Sequence, residues 1–135
     1  MNHNDKTEVL AAVQKNGGAL QYASTDLQND RDVVLAAVQQ SGWALEYASA
    51  ELQADREVVL AAVRENGWAL RYVSAGLRND REVVLAAVQQ NGHALEHASA
   101  ELQDQLRAIV EVGGYVVNSP EDVGVAYKEI TGGMV

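Results

Sequence analysis

Apolar residues recur along the chain in compact runs, each set between an aspartate and a glycine. In the second of these runs, six apolar residues fill positions 33–38, Asp30 precedes them and Gly42 follows. Aspartate is a favourable helix N-cap, and glycine suits the left-handed position that often ends a helix. The two alanines inside the run disfavour a strand. The pattern therefore predicts an α-helix that is apolar around most of its circumference and buried on several sides.

The run belongs to a repeat of 25 residues that contains no insertions. The four copies span residues 5–29, 30–54, 55–79 and 80–104, and the second and fourth differ at 5 of 25 positions. After its glycine, each copy continues with a short segment, residues 43–48 in the second copy, which predicts a second helix of roughly one to two turns. Ser49 either ends this helix or caps one more short turn. A stack of such units forms an α-solenoid.

Residues 105–135 depart from the strict repeat. If three residues are deleted, part of this segment aligns with the repeat, so we interpret it as a degenerate fifth unit. The aligned residues are Ala108, Val110, Gly114 and Tyr115. A final capping helix is predicted from Ser119, its N-cap, to the glycine pair at 132–133. We therefore predict one repeat domain over residues 1–135, an all-α, right-handed α-solenoid of short two-helix repeats with a C-terminal capping helix.

The repeat resembles a family of tandem α-helical repeats that is classed as a domain of unknown function. The residues that carry the resemblance recur in register in all four copies, across residues 5–104. In the second copy they are Val34 to Val38, Gly42, Ala44 to Leu45, Tyr47 to Ser49 and Leu52. The resemblance implies a helical repeat of the interaction type, and it brings no activity, substrate, cofactor or catalytic residue to this chain.

Composition narrows the classes of function further. The chain of 135 residues contains no cysteine, which excludes structural disulfides, cysteine-ligated zinc and thiol chemistry. Its apolar runs fall short of the roughly 18 residues that a membrane helix needs, and the polar N-terminus does not read as a secretory signal. The formal net charge of −9 disfavours direct binding to a phosphate backbone. We expect a cytoplasmic protein that binds neither a membrane nor nucleic acid directly.

Two columns that vary among nearly identical units are the best candidates for a binding surface. One is an aromatic column, and the other, three positions later, is a charged column. The candidate partner-binding residues are Trp43, Trp68 and His93 in the first and Glu46, Arg71 and Glu96 in the second. Equivalent positions of a solenoid line up along one face, and aromatic rows beside charged side chains often anchor a protein partner. The alternative is that both tryptophans pack between consecutive short helices.

The segment from His93 to His97 matches the His-x-x-Glu-His pattern of some zinc metallopeptidases. Such a site needs two histidines on one helical face, a third ligand, and Glu96 as the base. The segment is also the fourth copy of a Trp-Ala-Leu-Glu-Tyr sequence, so each histidine replaces an aromatic residue of the scaffold. We favour this replacement, and we predict no catalytic residue, no metal and no cofactor.

We therefore predict a non-catalytic module that binds a protein partner through the variable face of the repeat, as a monomer or a homodimer. One alternative is a small acidic inhibitor of a basic nucleic-acid-processing complex, suggested by the net charge of −9. The other is a metal-dependent hydrolase at His93, Glu96 and His97.

Overall fold

The computed structural model describes residues 2–114 and 119–131, and every regular element in these residues is a helix. The α-helices are α1 (Lys6–Lys15), α2 (Thr25–Gln28), α3 (Arg31–Gln40), α4 (Arg56–Glu65), α5 (Arg81–Gln90), α6 (Ala100–Val112) and α7 (Pro120–Thr131). We call α1, α3, α4 and α5 the long helices. Each is followed by a 3₁₀ helix, and these short helices span Gly17–Tyr22, Gly42–Tyr47, Gly67–Tyr72 and Gly92–His97. Two further 3₁₀ turns span Leu52–Ala54 and Leu77–Asn79. The all-α prediction is confirmed.

Each unit contains a long helix, a short helix and a closing turn. Asp30 caps α3, because its carboxylate accepts a hydrogen bond from the Val33 N–H at 3.2 Å. The extended backbone of Ser41 then separates α3 from the short helix. Ser49 caps the closing turn and accepts a hydrogen bond from the Leu52 N–H at 3.2 Å. The predicted pair of helices is confirmed, and the serine caps a further turn.

The glycine after each long helix has a different role from the predicted one. Among the described residues, only Gly114 has a positive φ, so the prediction of a left-handed Gly42 was wrong. Gly42 instead opens its short helix, where it faces the carbonyl oxygen of Ala62 in the next unit. A β-carbon on Gly42 would come closer than 3.0 Å to that oxygen. The glycine is therefore needed because consecutive units pack backbone against backbone.

The core is a continuous stack of small apolar side chains. Each short helix contributes one fully buried leucine: Leu20, Leu45, Leu70 and Leu95. Valines and alanines from the long helices surround these leucines, and consecutive long helices pack against each other. This stacking is the arrangement of an α-solenoid, whose handedness stays a prediction. Within the described residues, none of the helices has both the length and the apolar character needed to cross a membrane.

The segment that follows the fourth unit differs from our alignment. Ser99 caps α6, and this helix runs without a break from Ala100 to Val112. Ala108 and Val110 therefore lie in a helix that extends the closing turn of the fourth unit, not in a separate long helix. Gly114 follows that helix with a φ of 92°. Tyr115, the remaining aligned residue, lies outside the described residues.

The capping helix α7 takes the place beside the fourth short helix that a further long helix would occupy. Its predicted N-cap is confirmed, since the Ser119 hydroxyl accepts a hydrogen bond from the Asp122 N–H at 3.2 Å. The helix is described to Thr131, and the glycine pair at 132–133 lies outside the described residues. A β-carbon on Gly124 would clash with the backbone of Gly92. Gly124 thus permits the close approach, which offsets its cost of about 1 kcal/mol inside a helix.

A ladder of ion pairs, which the sequence analysis missed, joins the first turns of consecutive long helices. In each step, a basic side chain at the start of one long helix contacts the capping aspartate of the next long helix and an acid two residues later. The pairs are Lys6 with Asp30 and Asp32, Arg31 with Asp55 and Glu57, and Arg56 with Asp80 and Glu82. The capping aspartates are therefore partly neutralised by their neighbours in the stack.

Asp80→Asn tests one step of this ladder and keeps the helix cap, because asparagine is also a good N-cap. The hydrogen bond from Arg56 holds the pKa of the Asp80 carboxyl below its ordinary value. A carboxyl whose pKa is lowered by folding stabilises the fold above its unfolded pKa of about 3.9, and this stabilisation is lost as the pH falls. We expect the variant to lower the free energy of unfolding at pH 7 by about 0.5–1 kcal/mol.

Urea denaturation between pH 7 and pH 3 measures this effect. The difference between wild type and Asp80→Asn should shrink as the pH falls below about 5, because the carboxyl is protonated first in the unfolded chain and, at lower pH, also in the folded protein. Asp26→Asn, which changes an exposed aspartate outside the ladder, is the matched control. A difference that is equally large at pH 3 and pH 7 would show that the ion pair does not stabilise the fold.

Candidate functional site

The six candidate residues lie on the short helices, two in each of three consecutive units. Residues three apart lie on the same side of a 3₁₀ helix, so Trp43 and Glu46 share one face of Gly42–Tyr47. Consecutive short helices contact each other, which aligns the three pairs. We call this surface the short-helix row, and its members are Trp43, Trp68, His93, Glu46, Arg71 and Glu96. All six residues are exposed.

The two tryptophans pack against neighbouring units, as one of the two alternatives predicted, and they also remain partly exposed. The Trp43 ring lies over Gly18 of the preceding unit, where a β-carbon would come closer than 3.0 Å to the ring. It also meets Tyr47 edge to face, with ring centroids 5.9 Å apart. The Trp68 ring stacks on His93 of the following unit at 6.4 Å. Each tryptophan nevertheless stays 39% exposed, so part of each side chain is available at the surface.

Charged side chains lie between and beside these rings. The guanidinium carbon of Arg71 lies 5.2 Å from the centroid of the Tyr72 ring, in a cation–π arrangement. Burial raises the pKa of the Tyr72 hydroxyl, and the neighbouring Glu46 carboxylate raises it further. Tyr72 is half-buried. The centre of the row thus presents the negative charge of Glu46 and the positive charge of Arg71 beside the neutral hydroxyl group of Tyr72.

The C-terminal end of the row contacts the capping helix. His93 Nδ1 lies 3.6 Å from Glu121 Oε2 on α7. A hydrogen bond between the carboxyl groups of Glu96 and Glu121 raises the pKa of Glu96, and His93 and Arg71 act in the opposite direction. Two acids that share a hydrogen bond cannot both keep a full charge at no cost. This end of the row is therefore built jointly by the fourth short helix and α7.

His97 lies half-buried behind the row. Its ring meets Trp68 edge to face at 6.0 Å, and its Nε2 lies 3.2 Å from Glu96 Oε1. Burial lowers the pKa of His97, and the positive charges of Arg71 and Arg78 lower it further. The imidazole is thus mostly neutral at pH 7, so its contact with Glu96 is not an ion pair.

The short helix also separates the two histidines of the metallopeptidase-like segment. Residues four apart are nearly aligned in an α-helix, but they differ by about 120° in a 3₁₀ helix. His93 accordingly stacks on one side of Trp68, and His97 meets the ring edge on. Within residues 2–114 and 119–131, no three His, Cys, Asp or Glu side chains come together in a group that could hold a metal ion.

A column of polar side chains, which the sequence analysis missed, donates hydrogen bonds to backbone carbonyls at the ends of the short helices that carry the row. Gln53 Nε2 donates a hydrogen bond to the Leu45 carbonyl at 2.9 Å, near the end of the short helix. Gln28 and Gln103 make the corresponding bonds to Leu20 and Leu95. In the third unit, Arg78 donates instead to the Val73 carbonyl at 2.8 Å. The recurrence of glutamine 25 residues apart was the signal that could have predicted this support.

Comparison with known proteins places the repeat in one described family. The family described as a domain of unknown function (DUF4116) matches residues 5–53 and 55–103. Each match spans two of the 25-residue units, so together they cover the four regular units and stop before most of α6 and all of α7. No curated protein and no solved structure matched the chain.

Proposed function

Because this chain belongs to the family of domains of unknown function DUF4116, whose description names no activity, we propose a function from its surface: it binds a protein partner, without catalysis, through the short-helix row. The observation that carries the proposal is the exposure of Trp43 and Trp68. Each ring contacts a neighbouring unit, and each residue remains 39% exposed. Tryptophan has only two side-chain torsions, so it loses little conformational entropy on binding, and it is enriched among the residues that contribute most to binding at protein interfaces.

The charges around the rings support a specific rather than a general apolar contact. Glu46, Arg71 and Glu96 are exposed beside the aromatic column, so a partner meets an alternation of signs along the row. Such an arrangement selects the register in which a partner binds. Four of the eight aspartates, Asp30, Asp32, Asp55 and Asp80, lie in the ladder, where Lys6, Arg31 and Arg56 bind them. These four charges are less available to a basic partner, which favours binding by the row over binding by a general acidic face.

The test is a comparison of wild type with the double variant Trp43→Ala/Trp68→Ala. Partners are captured from a lysate of the source organism, identified by mass spectrometry, purified, and titrated by calorimetry. We expect the double variant to bind the purified partner at least roughly thirtyfold more weakly, since anchor residues contribute about 2 kcal/mol or more each.

Tyr22→Ala is the matched control, because it removes an exposed aromatic side chain from the first unit, outside the row. This variant should bind as tightly as wild type. Thermal unfolding of all three proteins shows whether the double variant remains folded at the temperature of the titration. Equal affinity of the wild type and the folded double variant would refute a role for the row.

A further inference from the structure

A second surface, made by the long helices, has the form of an elongated groove. One depression of about 480 Å³ lies between α3 and α4, and a second of about 770 Å³ lies between α5 and α7. Arg64 lines both depressions, so they adjoin each other. We call the two together the long-helix groove. None of the residues of the short-helix row lines it.

The floor of the groove is apolar and recurs from unit to unit. Leu35 and Leu60 line the first depression, and the equivalent Leu85 lines the second together with Ala86. Leu35 and Leu85 are only partly buried, which leaves apolar surface open in the groove. Tyr127 of α7 adds an aromatic wall. The floor therefore offers open apolar surface at Leu35 and Leu85, and the more deeply buried Leu60 lies in the unit between them.

The wall formed by α7 is held in place by two polar contacts to α5. Gln89 Nε2 donates a hydrogen bond to the Thr131 hydroxyl at 3.3 Å. Lys128 Nζ donates to the Gln90 carbonyl, also at 3.3 Å. Both contacts lie near the C-terminal ends of the two helices, whereas Arg81 lines the second depression at the N-terminal end of α5.

The ladder of ion pairs ends at the second depression. Lys6, Arg31 and Arg56 each bind two carboxylates of the next unit. Arg81 is the next member of this column, but α7 begins with Ser119 where the long helices α3 to α5 have an aspartate. In the described part of the chain, no carboxylate lies within ion-pair distance of Arg81, which lines the groove.

The other charges in the groove leave it locally positive. Glu82 is bound by Arg56 at 2.6 Å and lies 3.7 Å from Arg64. Glu57, in the first depression, is bound by Arg31 of the preceding unit. Both acids are thus already paired, and Arg81 is the lining cation that has no ion-pair partner among the described residues. The lining residues carry three positive charges, on Arg56, Arg64 and Arg81, against the two negative charges of Glu57 and Glu82. A positive groove on a chain of net charge −9 is selective for an anionic occupant.

We propose that the long-helix groove binds an extended, acidic and apolar segment of a partner protein, with a carboxylate of that segment at Arg81. The carboxylate takes the place at Arg81 that Asp80 and Glu82 take at Arg56. Apolar side chains of the segment lie on Leu85, in the larger depression, and on the equivalent leucines. Packed helices are about 9 Å apart, which corresponds to one three-residue turn of an extended chain in the polyproline II conformation, at about 3.1 Å per residue. Side chains three residues apart then lie on the same side, so the apolar contacts recur at every third residue, over about seven residues.

The probe is a display library of random linear peptides of about twelve residues, long enough to span the groove at roughly 3.3 Å per residue. The library is selected on wild-type protein and depleted on Arg81→Gln. We expect the enriched peptides to contain Asp or Glu together with apolar residues at a spacing of three. Each synthetic peptide should lose roughly tenfold in affinity on Arg81→Gln, since a hydrogen-bonded charge is removed.

Leu85→Gln should also weaken binding, whereas Leu10→Gln, the same column in the first unit and remote from the groove, should not. Arg71→Gln removes an equal charge from the short-helix row and should bind normally. The Trp43→Ala/Trp68→Ala variant should also bind normally, so this inference and the proposed function fail independently. Enriched peptides without acids, unchanged affinity on folded Arg81→Gln, or no enrichment on wild type would each overturn the proposal.

Discussion

Gly67→Ala should lower the free energy of unfolding by about 3 kcal/mol, measured by urea denaturation at pH 7. A β-carbon at this position would come closer than 3.0 Å to the carbonyl oxygen of Ala87. That oxygen belongs to the backbone of α5, so the clash cannot be relieved by a side-chain rotation. The units must move apart, and the core between them loses contact.

Gly76→Ala is the matched control, because it makes the same chemical change nine residues later in the same unit. No atom lies within 4 Å of the added β-carbon, and Gly76 has ordinary helical backbone angles. This variant should be equally stable or up to about 1 kcal/mol more stable, because alanine restricts the unfolded chain. If the two variants lose the same free energy of unfolding, Gly67 is required for its local backbone conformation and not for the close packing of consecutive units.

Leu70→Ala is the second variant with a large expected effect, and it should lower the free energy of unfolding by about 3–5 kcal/mol. The Leu70 side chain is fully buried in the third unit, between equivalent leucines of the second and fourth units. Its removal leaves a cavity that neighbouring backbone cannot fill, since the glycines already hold the units at their closest approach. Thermal and urea unfolding both measure the loss.

Val112→Ala is the control for that substitution. Val112 is 91% exposed near the end of α6, so its truncation should change the stability by less than about 0.5 kcal/mol. A loss of less than about 1 kcal/mol in Leu70→Ala would contradict the description of the leucines as a continuous core.

The repeat made much of the fold predictable because each local signal occurs four times. Asp30 and Ser49 cap helices where the sequence placed caps, and Ser119 caps α7. The C-terminal segment was harder to predict, because each of its signals occurs only once. The alignment of Ala108 and Val110 with a fifth unit required a deletion, and no second copy of the segment was present to test it. In the structure, α6 runs continuously through both residues.

The sequence predicted that the candidate residues line up in a row, but it did not predict how much of each side chain is exposed. Equivalent residues of a repeat must line up, so the alignment of Trp43 with Trp68 followed from their spacing. How much of each ring remains exposed depends on the neighbouring unit, and in particular on Gly18 and His93 beside the rings. The separation of His93 from His97 depends on the 3₁₀ form of the short helix, which periodicity over six residues cannot distinguish from α.

The sequence by itself determined the all-α class, the register of the four units and the residues that share a face, because these depend on local caps and on a strict period. Only the tertiary structure decided what lies between units. In the tertiary structure, glycine permits the backbones of consecutive units to pack closely. Arg56 pairs with acids of the next unit, whereas Arg81 has no such partner among the described residues. These features arise from contacts between residues about 25 positions apart, whose geometry is set by how the helices stack.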